Sequence, residues 1–392
     1  MQRELPPTFS LLSWLEREDL YPKCYWRGRD GTEIAASGSL LTLDTPPNFS
    51  KRNTSSARFW GGQAFSPETP PKDHLWEEFP RKGFFLPKNE VIRSENRTRA
   101  LSHSLGEVPP DPIETAPSDP FFLGTPLTLL SHIPSQEEWE ASISSTLQMI
   151  GGSSLDKVVM GRRSTYLSEG ALNPFALLEN LSLMKGTLFL FQFSPKSAFL
   201  GATPERLYKR KGRHILTEAI AGTRPRGENE QEDLALEHEL LSDRKEQEEF
   251  AYVKESITAA LSPLCKTLSP EGEDRVIKTT NVQHLFSPFE GTLLPEAHDE
   301  AIIEALHPTA AMGGMPREKA LEHLKENEPF ERGWYASPLG FISADEAELA
   351  VGIRSALVKE DHLHLFAAAG IVIGSHPQKE WEEINHKMGL WL

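Results

Sequence analysis

Near the end of the chain the stretch KEWEEINHKM places Glu380, Glu383 and Lys387 at spacings of three and four, which is one face of a helix. A second pair with the same spacing, Glu246 and Glu249, lies in KEQEEFAYV. Two such pairs on distant helices could hold a hard divalent cation by oxygen. Mg²⁺ in particular is bound by one or two carboxylates, with water and substrate oxygens completing its shell. The same spacing also describes two solvated helix faces. Lys157 precedes VVM in an otherwise apolar, strand-like run. Such a lysine either snorkels to the surface or, desolvated beside a cation site, loses proton affinity and serves as a general base. Glu205, in ATPERL, is either a surface turn residue or a partly buried carboxyl that stays protonated and acts as an acid. His284 in VQHLF reads as a hydrogen-bonded core or rim histidine before a catalyst. Arg354 in VGIRSAL reads as a strand arginine, either paired structurally or gripping a substrate carboxylate in a bidentate fork.

Other chemistries lack a local signature. There is no GxxxxGK[ST], GxGxxG or HExxH, which disfavours nucleotide loops and zincin-type zinc. The glycine turns in AAAGIVIG and AIAGT offer backbone N–H groups to a carboxylate. The net charge of −16 argues against nonspecific binding to nucleic acid or anionic membrane, and leaves room for a local basic pocket that takes a small anion. Two cysteines, Cys24 and Cys265, stand far apart in no ligand spacing, as expected of a reduced, cytoplasmic protein. MQRELPPTFS lacks the basic and apolar regions of a signal peptide, and no apolar run approaches the ~20 residues of a membrane helix.

The elements that must position these groups are legible in outline. The 392 residues, 38% of them hydrophobic, allow one large domain or two ordinary ones. The first third is dense in Pro and Ser (LDTPPNFS, SPETPPKD, GEVPPDPIETAPSDP). Between these segments PKCYWRGRDG, ARFWGGQAF and KGFFLPKNEVIR read as strands of a meander. SQEEWEASISSTLQMI predicts a helix from Ser135, and LDKVVMGRRSTY a strand with Lys157, Val159 and Gly161 on one side. GTLFLFQFSP and SAFLGATPERLYKR predict two adjacent strands, and ENEQEDLALEHELLSDRKEQEEFAYVKESITAAL one long charged helix. HILTEAIAGT, VQHLFSPFEGTL, LGFISADEAELAVGIRSALV and LHLFAAAGIVIG add further strands between glycine turns. No regular βαβ rhythm is present, so the expected class is α+β: large antiparallel β-sheets with helices packed on the outside.

Ten segments, in order, resemble the chorismate-binding enzyme family: LDKVVMGRR, FLGATPERL, TEAIAGTRPRG, SDRKEQEEF, VQHLFSPFEG, LHPTAAMGGMP, ERGWYASPLGFIS, VGIRSAL, AAAGIVIGS and EWEEINHK. The likeness is specific from about Ser135 onward. It implies a chorismate-binding catalytic core over residues 135–392, with residues 1–134 as a β-rich N-terminal part of the same domain. Earlier, YPKCYWRGRDG, ARFWGGQAF and GFFLPKNEVI resemble the N-terminal part of the family's isochorismate-forming members, more the menaquinone type than the siderophore type.

The resemblance implies Lys157 as the water-activating base and Glu205 as the general acid. It implies Glu249 and Glu383 as Mg²⁺ ligands, with Glu246 and Glu380 close by or acting through water. Tyr335 and Arg354 would hold the enolpyruvyl carboxylate, with Lys387 near the carboxylates. Gly222, Thr223 and the turn ending at Gly370 would offer backbone to the ring carboxylate, and His284 would lie in the substrate site. One departure is visible: the family's AGAG reads AAAG, with Ala368 in place of glycine. Among the family's reactions, Lys157 implies water addition rather than ammonia addition. Ala311, in HPTAAMGGMP, resembles the isochorismate-forming members, where salicylate-forming ones commonly carry threonine. The implied activity is isochorismate synthase, a reversible Mg²⁺-dependent isomerase. The alternatives are a salicylate synthase that goes on to expel pyruvate, and a chorismate-binding subunit without turnover. The expected partner is the small molecule alone, with no nucleic acid, no membrane and a monomeric chain.

Overall fold

Two large antiparallel sheets lie face to face in the computed structural model, which describes all residues except 1, 7, 50–56, 96, 105–125, 153–154 and 279–281. The segment GEVPPDPIETAPSDP therefore lies outside the described residues. Twelve strands form one sheet and ten the other. The inner faces meet through aromatic side chains, which bury the largest apolar areas. Trp26, on the strand Lys23–Arg27 of the first sheet, packs 6.2 Å from Trp60, on the strand Phe59–Gln63 of the second, and Trp60 packs 5.0 Å from Phe341.

Helices cover the outer faces, as α+β patterning predicts. On the ten-stranded sheet, Phe250, Val253 and Ile257 of the helix Arg244–Leu261 pack with Ile302 of Asp299–Leu306 over Leu207, Ile215 and Phe289. On the other sheet lie the helices Gln136–Gly151 and Pro377–Met388. The first begins where the sequence predicts: Ser135 accepts from the Glu138 N–H while the Glu138 carboxylate accepts from the Ser135 N–H. A reciprocal cap of this kind is worth about 1 kcal/mol. The last helix starts at Pro377, whose missing N–H costs nothing there. It buries Trp381, Ile384 and Met388, each contributing roughly 1.5–3 kcal/mol. The Arg162 guanidinium lies 3.8 Å over the Trp381 ring and donates to the Asn385 side-chain oxygen at 2.5 Å.

Three expectations are corrected. The N-terminal strands are not one meander: Lys23–Arg27, Glu33–Ser37 and Asn89–Ser94 join the twelve-stranded sheet, whereas Phe59–Gln63 and Lys82–Leu86 join the other. Strands with two buried faces carry no alternation to say which sheet they enter. The charged stretch after residue 228 is two helices, Glu230–Ser242 and Arg244–Leu261. Asp243 ends the first and caps the second by accepting from the Glu246 N–H. SAFLGATPERLYKR also divides. Ser197–Thr203 pairs with Thr187–Ser194 as expected, but Arg206–Lys211 belongs to the opposite sheet. Pro204 and Glu205 are thus the crossing point between sheets.

A buried ion pair ties the strand Lys157–Ser168 to the loop before Trp334. The Arg332 guanidinium bonds both Glu328 oxygens at 2.7 and 2.8 Å, and Glu328 Oε1 also accepts from the Gly161 N–H at 2.8 Å. Their side chains are 2% and 6% exposed, so removing one partner strands a charge. Glu328→Ala is expected to lower unfolding stability by about 3–5 kcal/mol. A urea-denaturation midpoint close to that of the parent would contradict this.

Candidate active site

The proposed site residues come from the start of the strand Lys157–Ser168, the two crossings between sheets, the strands that carry Gly222, His284 and Gly370, the turns that hold Ala311 and Tyr335, and the helices Arg244–Leu261 and Pro377–Met388. Lys157 begins its strand, with Val159 paired to Gly370 and Gly161 to Ala368. Its ammonium does not snorkel outward: the side chain is 13% exposed and ion-paired with Glu249 of the helix Arg244–Leu261. A Cβ at Gly370 would lie 3.0 Å from Lys157 Cε, so glycine there leaves room for the lysine stem. Gly370 lies within the strand His362–Ile371, not in a turn as expected from its glycine. Ala368, two residues earlier, keeps its carbonyl in use: it accepts from Lys387 Nζ at 2.8 Å.

Glu205 sits at the first crossing, partly buried. Burial, and next the negative charge of Glu218, push its carboxyl up to about 7, while Arg29 and Lys157 pull the other way. A carboxyl with that value is largely protonated in mildly acidic water and half so at neutrality. Its backbone is pinned from both sides. The Glu205 N–H donates to Thr203 Oγ1 at 3.2 Å, and its carbonyl accepts from the Val351 N–H at 3.0 Å.

Arg354 occupies the return crossing, between the strands Glu346–Val351 and Ser355–Lys359, and is not a strand residue as the sequence suggests. Its φ of +50° is left-handed, a conformation that costs an arginine of order 1 kcal/mol or more and marks sites where aim outweighs comfort. Burial lowers its proton affinity, with Tyr335 and Glu383 opposing. Tyr335 is 3% exposed and stacks on Phe366 at 5.4 Å, and burial raises its phenol.

Gly222 has a φ of +63°, a backbone conformation that favours glycine, and a Cβ there would come within 2.8 Å of Glu246 Oε2. Its carbonyl and the Thr223 hydroxyl lie 2.9 and 3.1 Å from His284 Nδ1. The proton is therefore on Nδ1, and Nε2 keeps its lone pair. Burial lowers the basicity of His284, with Arg354, Lys387 and Glu383 close enough to act on it. Ala311 lies in the turn that follows Thr309, partly buried.

Three of the four carboxylates expected to hold Mg²⁺ are turned to a cationic side chain. Lys157 takes Glu249, Arg224 takes Glu246 at 2.8 Å, and Lys387 takes Glu383 at 2.5 Å. Glu380 lies one turn before Glu383 on the same helix face. Among the described residues no three acidic, histidine or cysteine side chains converge as a ready-made cage. The donor chemistry still fits Mg²⁺. All four side chains are hard oxygen donors, and three already answer to positive charge that a divalent ion would supply. Arg224 was not singled out from the sequence. It bonds Glu239, Asp243 and Glu246 together, and the TRPRG segment after Gly222 was its only signal.

The family model described as chorismate binding enzyme matches residues 39–392, and the chain belongs to that family. It is 32% identical over 391 residues to the isochorismate synthase MenF of Escherichia coli (strain K12), covering 98% of this chain and 90% of that protein. The chloroplastic isochorismate synthase of Catharanthus roseus is 38% identical over 273 residues, 68% of this chain; the chain spans about half, 47%, of that relative's length. Among solved structures, the menaquinone-specific isochorismate synthase MenF from Escherichia coli superposes with a TM-score of 0.86 at 29% identity, over 100% of this chain and 93% of that one. No helix among the described residues is long and apolar enough to cross a membrane.

Proposed function

We propose that this chain is an isochorismate synthase, converting chorismate to isochorismate by adding water at C2 while the C4 hydroxyl leaves. The observation that carries this reading is a partly buried carboxyl, Glu205, close to an inward-facing lysine, Lys157, which gives an acid and a base acting on different atoms.

In this reading Lys157 accepts a proton from the attacking water as its oxygen bonds to C2. The ring double bonds shift, the C4–O bond breaks, and Glu205 gives its proton to the departing hydroxyl, which leaves as water. One water is consumed and one released, so the reaction is an isomerisation with little driving force either way. Arg354 and Tyr335 hold the enolpyruvyl carboxylate. Backbone at Gly222, Thr223 and Gly370 receives the ring carboxylate, with His284 fixing the Thr223 hydroxyl. Glu249 and Glu383, with Glu246 and Glu380, would hold Mg²⁺, which supplies positive charge to neutralise and orient the ring carboxylate. Held in that way, Glu249 and Glu383 would no longer pair with Lys157 and Lys387, and both lysines would be available to the substrate. The enzyme works as a cytoplasmic monomer on this small dianion.

Identifying the product tests the reading. Chorismate with Mg²⁺ should give isochorismate, and isochorismate fed to the parent should regenerate chorismate with little salicylate. Ala311→Thr, by placing a hydroxyl beside the enolpyruvyl arm, should yield detectable salicylate and pyruvate or slow isochorismate formation, since small displacements of reacting groups are costly. Stoichiometric pyruvate from the parent would make salicylate synthase the better description, and binding without consumption would leave only a binding protein.

A further inference from the structure

The tip of the N-terminal hairpin formed by Lys23–Arg27 and Glu33–Ser37 reaches the crossing that carries Glu205. Arg29, in that hairpin's turn, donates from Nη2 to the carbonyl of Pro204 at 2.6 Å and from Nη1 to Glu218 Oε1 at 2.7 Å. Glu218 comes from the strand His214–Pro225, which pairs with Arg206–Lys211. Its side chain is 6% exposed, and Arg206 Nη1 bonds the same Oε1 at 3.0 Å. The other oxygen, Oε2, is buried with no hydrogen-bond partner among the described residues. Two guanidiniums thus converge on one oxygen of a buried carboxylate beside the Glu205 crossing.

We propose that Glu218 and Arg29 are positioning residues that jointly govern the Glu205 proton: Glu218 keeps it in place, and Arg29 limits that hold while fixing the crossing. This rests on the reading of Glu205 as the acid. The other groups acting on the Glu205 carboxyl are Lys157 and the Thr309 hydroxyl, with the Tyr335 phenol also close enough to be affected by it. Among the causes that raise the Glu205 carboxyl, Glu218 is the anion with the largest effect. Burial raises Glu205 first and Glu218 second, and Arg29 is the first of the groups that oppose them. The two residues therefore act in opposite senses. The N-terminal part of the chain, on this account, supplies a control on catalysis as well as strands.

Glu218→Gln removes the anion but keeps the shape, and leaves the Arg29 guanidinium close to Glu205. Glu205 should then give up its proton more easily. Above the pH at which both enzymes have lost that proton, each unit by which the carboxyl's value falls lowers the active fraction tenfold. Turnover at pH 8 should therefore drop about tenfold against the parent with Mg²⁺ present, with little change at pH 6 and little change in KM. Arg29→Met should move the alkaline limb the opposite way, toward higher pH. The Glu205 carboxyl should be titrated directly by NMR with ¹³C-labelled glutamate, assigned by difference against Glu205→Gln. A Glu205 signal that titrates unchanged in Glu218→Gln, or that moves the same way in both variants, overturns the proposal. If the signal moves as expected while the rate profile ignores it, the proposal holds and Glu205 loses its role as the acid. Should Glu218→Gln fail to fold, an upward move in Arg29→Met supports the proposal, and no move overturns it.

Discussion

Glu205→Gln and Lys157→Ala are each expected to turn chorismate over at least about a hundredfold more slowly than the parent, the usual scale for an acid or base group. Glutamine keeps the shape of the crossing but cannot give a proton to the leaving hydroxyl. Alanine removes the amine whose aliphatic stem passes beside Gly370 and frees Glu249 of its partner. Chorismate binding should persist in both, because Arg354, Tyr335 and the backbone near Gly222 are the proposed anchors. Single-turnover rates measured beside equilibrium binding separate the two effects. Turnover within a few-fold of the parent in either variant would remove that residue from the mechanism. A loss of binding to match the loss of rate would make it an anchor instead.

Glu249→Ala or Glu383→Ala should abolish activity without unfolding the chain, and a chelator should do the same reversibly to the parent. Both side chains are partly or largely accessible, 27% and 50% exposed, so neither supports the core, and thermal unfolding should change little. The expected losses share a physical cause. Without a divalent ion the ring carboxylate is left facing the remaining carboxylates, and in the chelated parent the proposed base also stays paired with Glu249. Direct titration of Mg²⁺ into the parent and each variant, read by calorimetry, gives a measure independent of turnover. Full activity in excess EDTA would sink the idea.

Much of the candidate site was legible because its signals are local. Carboxylates three apart share a helix face wherever that helix packs, so Glu246 with Glu249 and Glu380 with Glu383 could be paired from spacing alone. The Ser135 cap likewise needs only its own four residues, and the helix begins there. A strand that alternates must send Lys157, Val159 and Gly161 one way, and the strand begins at that lysine. What spacing left open was whether these groups were solvated or buried, and the resemblance of ten ordered segments was needed to choose.

The chain's own pattern determined which residues are candidates, which elements carry them and that the sheets are antiparallel with helices outside. Only the tertiary structure decided which sheet each strand joins, that the charged helix breaks at Asp243, and that Arg354 turns a corner in a left-handed conformation. It also decided the surroundings of Glu205. Arg29 and Glu218 are 189 residues apart in the chain and meet only because a hairpin of the twelve-stranded sheet reaches a strand of the ten-stranded one. Periodicity is a property of neighbours in sequence, whereas desolvation and Coulomb fields depend on whatever the fold brings within a few ångströms. A carboxyl's proton is therefore set by distance through space, which the order of residues does not encode locally.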